Sequence, residues 1–124
     1  MKLLLDTHTL LWWITDDPRL QATVIAAIES PDSEVWVSIV SLWEIAVKVR
    51  SGKMAVDIKD VEREIATIGF KMLAITAQHL DVLIGLPMRH RDPFDHLLIA
   101  QAIREGAKLV TTDREIRGYP VDVL

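Results

Sequence analysis

Short apolar runs alternate with helical patterns along this chain. Runs rich in leucine or β-branched residues predict strands over residues 2–5, 35–38, 71–74 and 108–111. Apolar residues at helical spacing predict helices over 20–29, 42–50, 61–68, 77–84 and 93–105, and residues 121–124 are predicted to add an edge strand. Strands separated by helices need crossover connections, which build a parallel sheet covered on both faces. The pattern therefore predicts an α/β fold.

Composition narrows the class of protein. The chain has 124 residues, 50% of them apolar, and we expect one domain over residues 1–124. This apolar content excludes a disordered tail or linker. No apolar run approaches the roughly 18 residues of a membrane span, so we expect a cytoplasmic protein. The absence of cysteine excludes thiolate zinc sites and thiol nucleophiles, and the net charge of −4 does not indicate a nucleic-acid partner by itself.

Four acidic residues are predicted to lie at one edge of the sheet. Asp6 ends the first strand and Asp113 follows the fourth, so both carboxylates should project from the carboxyl ends of their strands. Glu44 and Asp95 lie near the starts of helices whose amino ends open onto the same edge. The four side chains are therefore expected to face one another.

Each acid also has a purely structural interpretation. Ser41 with Glu44 fits a capping box, and Asp92 with Pro93 and Asp95 fits a helix cap followed by a first-turn proline. The other two acids can form a turn or cap a short helix. None of the four is specific when it is considered alone.

Together, the four acids predict a metal site. Two carboxylates about 4 Å apart repel by roughly 4 kcal/mol at an effective dielectric near 20, so a cluster must take up protons, separate or hold a cation. The nearest strong cation in sequence is Lys48, one helical turn from Glu44. Ligands that are all oxygen favour a hard ion such as Mg²⁺ or Mn²⁺. A site of this kind is suited to phosphate chemistry.

Four segments of the chain resemble motifs of a known family. They are DTH at 6–8, SIVSLWEIAVK at 38–48, HRDPFDHLLIAQA at 90–102 and TTD at 111–113, of which DPFDHLLIAQA is the most specific. Their order resembles the PIN domain, and in particular the VapC-type toxins of bacterial toxin–antitoxin pairs. The resemblance extends from Met1 to about Asp122. It implies a three-layer α/β/α sandwich whose parallel sheet has the order 3-2-1-4-5.

The resemblance also implies an activity. By position it makes metal ligands and catalytic acids of Asp6, Glu44, Asp95 and Asp113, supported by the hydroxyl of Thr111 or Thr112. The implied function is an endoribonuclease that depends on Mg²⁺ or Mn²⁺ and hydrolyses RNA phosphodiesters. The implied partners are a cognate antitoxin protein and a second copy of the chain, with no membrane and no nucleotide cofactor.

The basic residues and histidines indicate RNA contacts or metal ligands less clearly than the acids do. An acidic protein can still bind RNA if cations surround the pocket, and the candidates are Lys48, Arg50, Lys53, Arg89, Arg91 and Arg114. The four histidines show no HxxxH spacing, which disfavours a histidine metal site. His8 is a candidate for substrate contact or helix capping, and His96 is expected to lie on a different helix face from Asp95.

Apolar residues and competing folds complete the list of alternatives. Trp12, Trp13 and Trp43 are expected to pack in the core, with base stacking as the alternative. The high hydrophobicity permits an apolar groove that receives an antitoxin segment, one of whose arginines would enter the acidic pocket.

A haloacid-dehalogenase-type phosphatase needs a second acid where His8 stands, and no glycine-rich phosphate loop is present. A non-catalytic RNA- or protein-binding module is the alternative from a different class.

Overall fold

The computed structural model describes the whole chain, Met1–Leu124. Its elements are β1 (Lys2–Leu5), α1 (Thr7–Ile14), α2 (Ala22–Glu29), β2 (Glu34–Ser38), α3 (Ile39–Arg50), α4 (Ile58–Ile68), β3 (Lys71–Leu73), α5 (Ala77–Ile84), α6 (Pro93–Glu105), β4 (Lys108–Val110) and a 3₁₀ helix (Arg114–Gly118). All strand pairs are parallel, in the order β3-β2-β1-β4. The predicted α/β fold is confirmed, and α5 and α6 have the predicted bounds.

The tail beside β4 is shorter than the predicted edge strand. A single parallel bridge joins Leu109 to Val123. It rests on two backbone hydrogen bonds, from the Leu109 N–H to Asp122 and from the Leu124 N–H to Leu109. This is the hydrogen-bond pattern of a parallel pair, but it involves one residue of β4 only. The fifth strand of the implied order is thus reduced to one bridge.

Two helices differ from the sequence expectation near the acidic residues. Helix α1 was not predicted, because Leu10–Ile14 is apolar on every side and shows no polar stripe. Helix α3 begins three residues early, because the Ser38 side chain accepts a hydrogen bond from the Val40 N–H and caps it. The capping box of Ser41 and Glu44 is therefore wrong, since both residues lie inside the helix and are buried.

The core has two layers, one on each face of the sheet. Successive residues of β1 point to opposite faces, so Leu3 and Leu5 pack with the first four helices while Leu4 packs with α6 and the 3₁₀ helix. All three leucines are fully buried. No helix is both long and apolar enough to cross a membrane. The two layers hold the strands so that their carboxyl ends open at one edge.

Candidate active site

The carboxyl edge of the sheet gathers three of the four predicted acids. Asp6 links β1 to α1, and its backbone N–H donates to Val110 at the end of β4 over 3.0 Å. Glu44 lies in the second turn of α3, and Asp95 is the third residue of α6. The negative charges of Asp6 and Glu44 both raise the pKa of Asp95, which shows that the three groups share one electrostatic environment.

Burial and like charge raise the pKa of two of these acids. Burial raises the pKa of Asp95 most, followed by the charge of Asp92, and the result is about 7; a hydrogen bond from His90 only partly offsets it. Burial also raises the pKa of Asp6, against hydrogen bonds from Thr111 and Thr9. The raised pKa of both acids shows that the basic groups around them do not fully compensate the negative charge of the site.

Glu44 is held by groups from two helices. The Thr7 hydroxyl of α1 lies 2.6 Å from Glu44 Oε1 and 3.0 Å from Ser41 Oγ. Because a hydroxyl has one proton, Thr7 donates it to the carboxylate and accepts from Ser41. Lys48 Nζ lies 2.6 Å from Glu44 Oε2, one helical turn away. Both oxygens of this buried carboxylate are therefore engaged, one of them by a cation.

Asp95 is held by a different chain of hydrogen bonds. The Tyr119 hydroxyl accepts from the backbone N–H groups of Arg89 and His90, at 3.0 and 3.3 Å. Its own proton is then left for His90 Nδ1, 2.8 Å away. In the neutral ring, Nε2–H is consequently the donor, and it points at Asp95 Oδ2 over 3.3 Å. Tyr119 thus sets the tautomer through which His90 orients Asp95.

The fourth acid, Asp113, stands at the border of this cluster. Its carboxylate accepts from the Glu115 N–H over 2.9 Å and caps the 3₁₀ helix, which confirms the capping interpretation. Ligand atoms of His90, Asp113 and Glu115 lie within 4.8 Å of one another. Because His90 Nε2 also lies 3.3 Å from Asp95 Oδ2, His90 connects the Asp95 side to the Asp113 side. The missing HxxxH spacing gave no hint of this position.

The comparison with known families agrees with this geometry. A family model described as the PIN domain matches residues 3–121. The chain belongs to the PIN-domain family. It is 31% identical over 123 residues to Ribonuclease VapC22 of Mycobacterium tuberculosis, a match that covers 94% of this chain and 90% of that protein.

Solved structures share the PIN-domain fold. The chain is similar, with a TM-score of 0.76 and 18% identity, to VapBC2 from Rickettsia felis bound to a DNA fragment from their promoter, covering 100% of this chain and 97% of that one. It is also similar to VapBC-1 from nontypeable Haemophilus influenzae (TM-score 0.67, 16% identity, 100% and 97% covered). FitAcB from Neisseria gonorrhoeae matches with a TM-score of 0.67 and 18% identity, covering 98% and 96%.

The two predicted supporting threonines differ in position. Thr111 is buried, its side chain hydrogen-bonds to Asp6, and its hydroxyl accepts from the Asp113 N–H over 3.1 Å. Thr112 is exposed and makes no side-chain hydrogen bond to an acid. Thr111 therefore joins the Asp6 and Asp113 parts of the PIN-domain site, while Thr112 faces a neighbouring cavity.

Two residues around the site were not singled out from the sequence. Thr7 donates a hydrogen bond to Glu44, and Tyr119 acts on Asp95 through His90. Only Thr7 offered a signal, since it directly follows Asp6. Tyr119 lies 24 residues beyond Asp95 in sequence, and no spacing rule connects the two.

The aromatic residues and His96 are placed by packing. Trp12 and Trp13 pack against the core as expected, whereas Trp43 is 48% exposed and meets Phe94 edge-on at 4.7 Å. His96 turns from Asp95, as expected, and its Nε2 lies 2.8 Å from the His90 carbonyl oxygen. It therefore braces the His90 segment and does not enter the acid cluster.

The donor set fits a hard divalent cation. The acids offer carboxylate oxygens only, and the hydroxyls of Thr7 and Thr111 hold those carboxylates without adding a soft ligand. Lys48 compensates Glu44, yet the charges on Asp6, Asp92 and Glu44 still raise the pKa of Asp95. A divalent ion beside Asp6 and Asp95 would remove that repulsion.

Proposed function

We propose that this PIN-domain protein is a divalent-metal-dependent endoribonuclease of the VapC type, the toxin of a toxin–antitoxin pair. One observation carries the proposal: three carboxylates converge on one sheet edge, where burial first and then the charges of Asp92, Asp6 and Glu44 raise the pKa of Asp95 to about 7. The family membership and the similarity to a VapC ribonuclease support the same substrate class. Capping alone does not explain why buried acids share one environment.

In this proposal Asp6, Glu44, Asp95 and Asp113 hold Mg²⁺ or Mn²⁺, and Thr111 supports the site. The ion, when bound, supplies a water of lowered pKa and neutralises charge on the scissile phosphate. Glu44 is kept in place by Thr7 and Lys48, and Asp95 is oriented by His90. These residues keep the ligands ready before the substrate arrives.

Asp113 is the better placed proton acceptor. Both oxygens of Glu44 already accept hydrogen bonds, from Thr7 and from Lys48. Asp113 uses one oxygen for the Glu115 N–H, and its exposed side chain faces solvent with the other. We therefore assign to Asp113 the transfer of a proton from the attacking water.

The proposed partners are a cognate antitoxin and a second copy of the chain, and the proposed location is the cytoplasm. An apolar groove of about 370 Å³ lies between α3 and α4, lined by Ile39, Leu42, Ile65, Ala66, Phe70 and Met72. Ile39 and Met72 are about 40% exposed there. Such a groove suits an apolar antitoxin segment, as expected for a toxin of this type.

The test is cleavage of a mixed cellular RNA pool by the purified protein in EDTA, Mg²⁺ or Mn²⁺, followed by mapping of the RNA ends. We expect metal-dependent cuts at few sites, and a loss of about a thousandfold in Asp95→Asn, because the ligand helps supply several kcal/mol of charge stabilisation. Asp81→Asn, the same change on the exposed face of α5, is the control and should retain activity.

The alternative of a non-catalytic binding module makes a different prediction. A module whose acids only cap helices gains no thermal stability from Mg²⁺ or Mn²⁺, whereas a metal site is stabilised by mass action. Absence of both cleavage and metal-induced stabilisation in well-folded, antitoxin-free protein would reject the nuclease proposal.

A further inference from the structure

A polar cavity adjoins the acid cluster on the side of Asp113. It has a volume of about 530 Å³, and its polar lining includes Gln21, Thr23, Thr111, Thr112, Arg114 and Arg117. We call it the basic groove. Pockets of about 300–1,000 Å³ accommodate small ligands, so the groove has room for a nucleotide-sized group. Asp113 itself lines the groove, which makes the groove continuous with the site.

The 3₁₀ helix aligns the two arginines of the basic groove. In a 3₁₀ helix, side chains three residues apart eclipse one another, so Arg114 and Arg117 project from the same side. Ile116 between them is 1% exposed and anchors the helix in the core. The two guanidinium groups therefore extend from a short, fixed support.

Neither arginine is neutralised within the chain. Two other exposed arginines have acidic partners, since Arg19 pairs with Asp17 and Arg63 pairs with Asp60, whereas arginines such as Arg50 and Arg104 are unpaired but lie apart from one another on different helices. Arg114 and Arg117 make no ion pair and no side-chain hydrogen bond, although both are exposed beside a cavity. Two aligned and unpaired guanidinium groups form a receptor for phosphate oxygens, which they contact through paired N–H donors.

We propose that the basic groove binds a phosphate of the RNA chain next to the scissile phosphodiester, with Arg114 and Arg117 as the contacts. The proposal deepens the nuclease function and rests on it. The hydroxyls of Thr23 and Thr112 and the Gln21 amide also line the groove and suit contacts to ribose hydroxyls. These contacts position the backbone and do not read the bases.

The continuity of the groove with the acid cluster favours a polyanion. A nucleic-acid strand places one phosphate at the metal-loaded acids and the next within reach of the arginines. An acidic peptide would also suit the arginines, but its carboxylates offer no scissile group to the acid cluster. With a net charge of −4, this protein relies on such local cations for RNA binding.

The first test measures binding without cleavage. A fluorescein-labelled pool of random 12-nucleotide RNAs is titrated with protein in EDTA, and fluorescence anisotropy gives Kd at several salt concentrations. In Arg114→Gln/Arg117→Gln we expect Kd to rise at least tenfold at low salt. The slope of log Kd against log salt should fall by about 0.7, since the two arginines share one phosphate and each phosphate contact on a single strand contributes about 0.7.

The matched control removes two charges elsewhere. Arg50 and Arg104 are exposed, unpaired and close to the carboxyl-terminal ends of α3 and α6, away from the edge that holds the acids. The expectation that Arg50 lies beside the pocket is therefore wrong, because α3 carries it to the opposite end of the sheet. Arg50→Gln/Arg104→Gln has the same net charge as the groove variant, and we expect its Kd to stay within twofold of wild type. Equal losses in both variants would overturn the proposal, because bulk charge would then explain the effect.

The second test separates the groove from the nuclease function. On the mapped substrate, the groove variant should raise KM about tenfold and retain kcat, because its contacts lie outside the reacting atoms. Wild-type cleavage with unchanged KM and Kd in the groove variant would overturn the groove and leave the nuclease intact. Lost RNA affinity in the groove variant, without cleavage by wild type, would support the groove as an RNA-binding surface and reject the nuclease. Displacement of the RNA by hexaglutamate as readily as by unlabelled RNA would also overturn the groove's assignment to RNA.

Discussion

The Glu44 and Asp95 sides of the acidic site differ in what compensates their charge. Glu44 is buried with one oxygen on the Thr7 hydroxyl and the other on the Lys48 ammonium. Asp95 has only the His90 ring as a donor, and Asp92, Asp6 and Glu44 all act against its ionisation. Lys48 thus compensates the charge of Glu44 from within the chain, whereas no lysine or arginine pairs with Asp95.

This difference bears on how the acids of the PIN-domain site can lie together without a metal. A cluster with no internal cation would have to spread apart or take up several protons. Here Lys48 neutralises one acid, and the raised pKa of Asp95 lets that residue hold a proton. In the proposed nuclease, a divalent ion beside Asp95 would take the place of that proton.

The largest expected effect is a pH dependence of stability that comes from Asp95. Its folded pKa of about 7 lies above the ordinary value of 3.8, so the folded state binds the extra proton between about pH 4 and pH 7. In the metal-free protein, Asp95 contributes most to the free energy of unfolding below that window, and this contribution is lost as the pH rises through 7. Asp95→Asn lacks the titration and should be more stable than wild type at pH 8 by a few kcal/mol.

Chemical denaturation of both proteins in EDTA at pH 5 and pH 8 measures this difference. The gap in unfolding free energy between Asp95→Asn and wild type should widen toward pH 8. Addition of Mn²⁺ should narrow it, because the ion stabilises only the wild type. A difference in unfolding free energy that stays constant with pH would show that the surroundings of Asp95 do not raise its pKa.

A second prediction removes the internal cation. Lys48→Met keeps much of the aliphatic stem and leaves the buried Glu44 carboxylate without its counter-charge. The lysine is 32% exposed, so we expect a loss of about 2 kcal/mol, below that of a fully buried pair. Stabilisation by Mg²⁺ or Mn²⁺ should become larger than in wild type.

The matched control for this change is Lys59→Met, whose lysine forms an exposed pair with Glu62 on α4. It should change stability by less than about 0.5 kcal/mol. If Lys48→Met proves equally mild and responds to metal as wild type does, the Glu44 side has no special need for its lysine.

The smallest expected effect concerns Tyr119. Tyr119→Phe removes the acceptor of two backbone N–H groups and the donor that sets the His90 tautomer. We expect about 1 kcal/mol lower stability and about tenfold lower kcat/KM, in line with losses of partners behind metal ligands.

The variants His90→Gln and His90→Asn sharpen this prediction. Glutamine can place an N–H near the position of Nε2 and donate to Asp95, whereas asparagine reaches only the position of Nδ1. Mn²⁺ affinity, measured by titration of the paramagnetic signal, should be better retained by glutamine. Equal affinities in both variants would contradict a positioning role for His90.

The alternation of strands and helices was sufficient to predict the α/β fold, because crossover connections leave few topologies for such a pattern. It also placed Asp6 and Asp113 at strand ends and gave α5 and α6 their bounds. It failed for α1, where Leu10–Ile14 is apolar on every side, and for the start of α3, where Ser38 competes with Ser41 as the cap. A local sequence pattern predicts the start of a helix poorly when several neighbouring residues could serve as its cap and the surrounding residues are all apolar.

The sequence by itself determined the fold class and the four candidate acids, because strand and helix periods are local properties and the motifs are contiguous. Only the tertiary structure decided which groups compensate each acid. Thr7 meets Glu44 from 37 residues away, and Tyr119 reaches His90 from 29 residues away. These contacts depend on how two core layers bring separate helices to one edge, and a carboxylate's pKa depends on that three-dimensional environment.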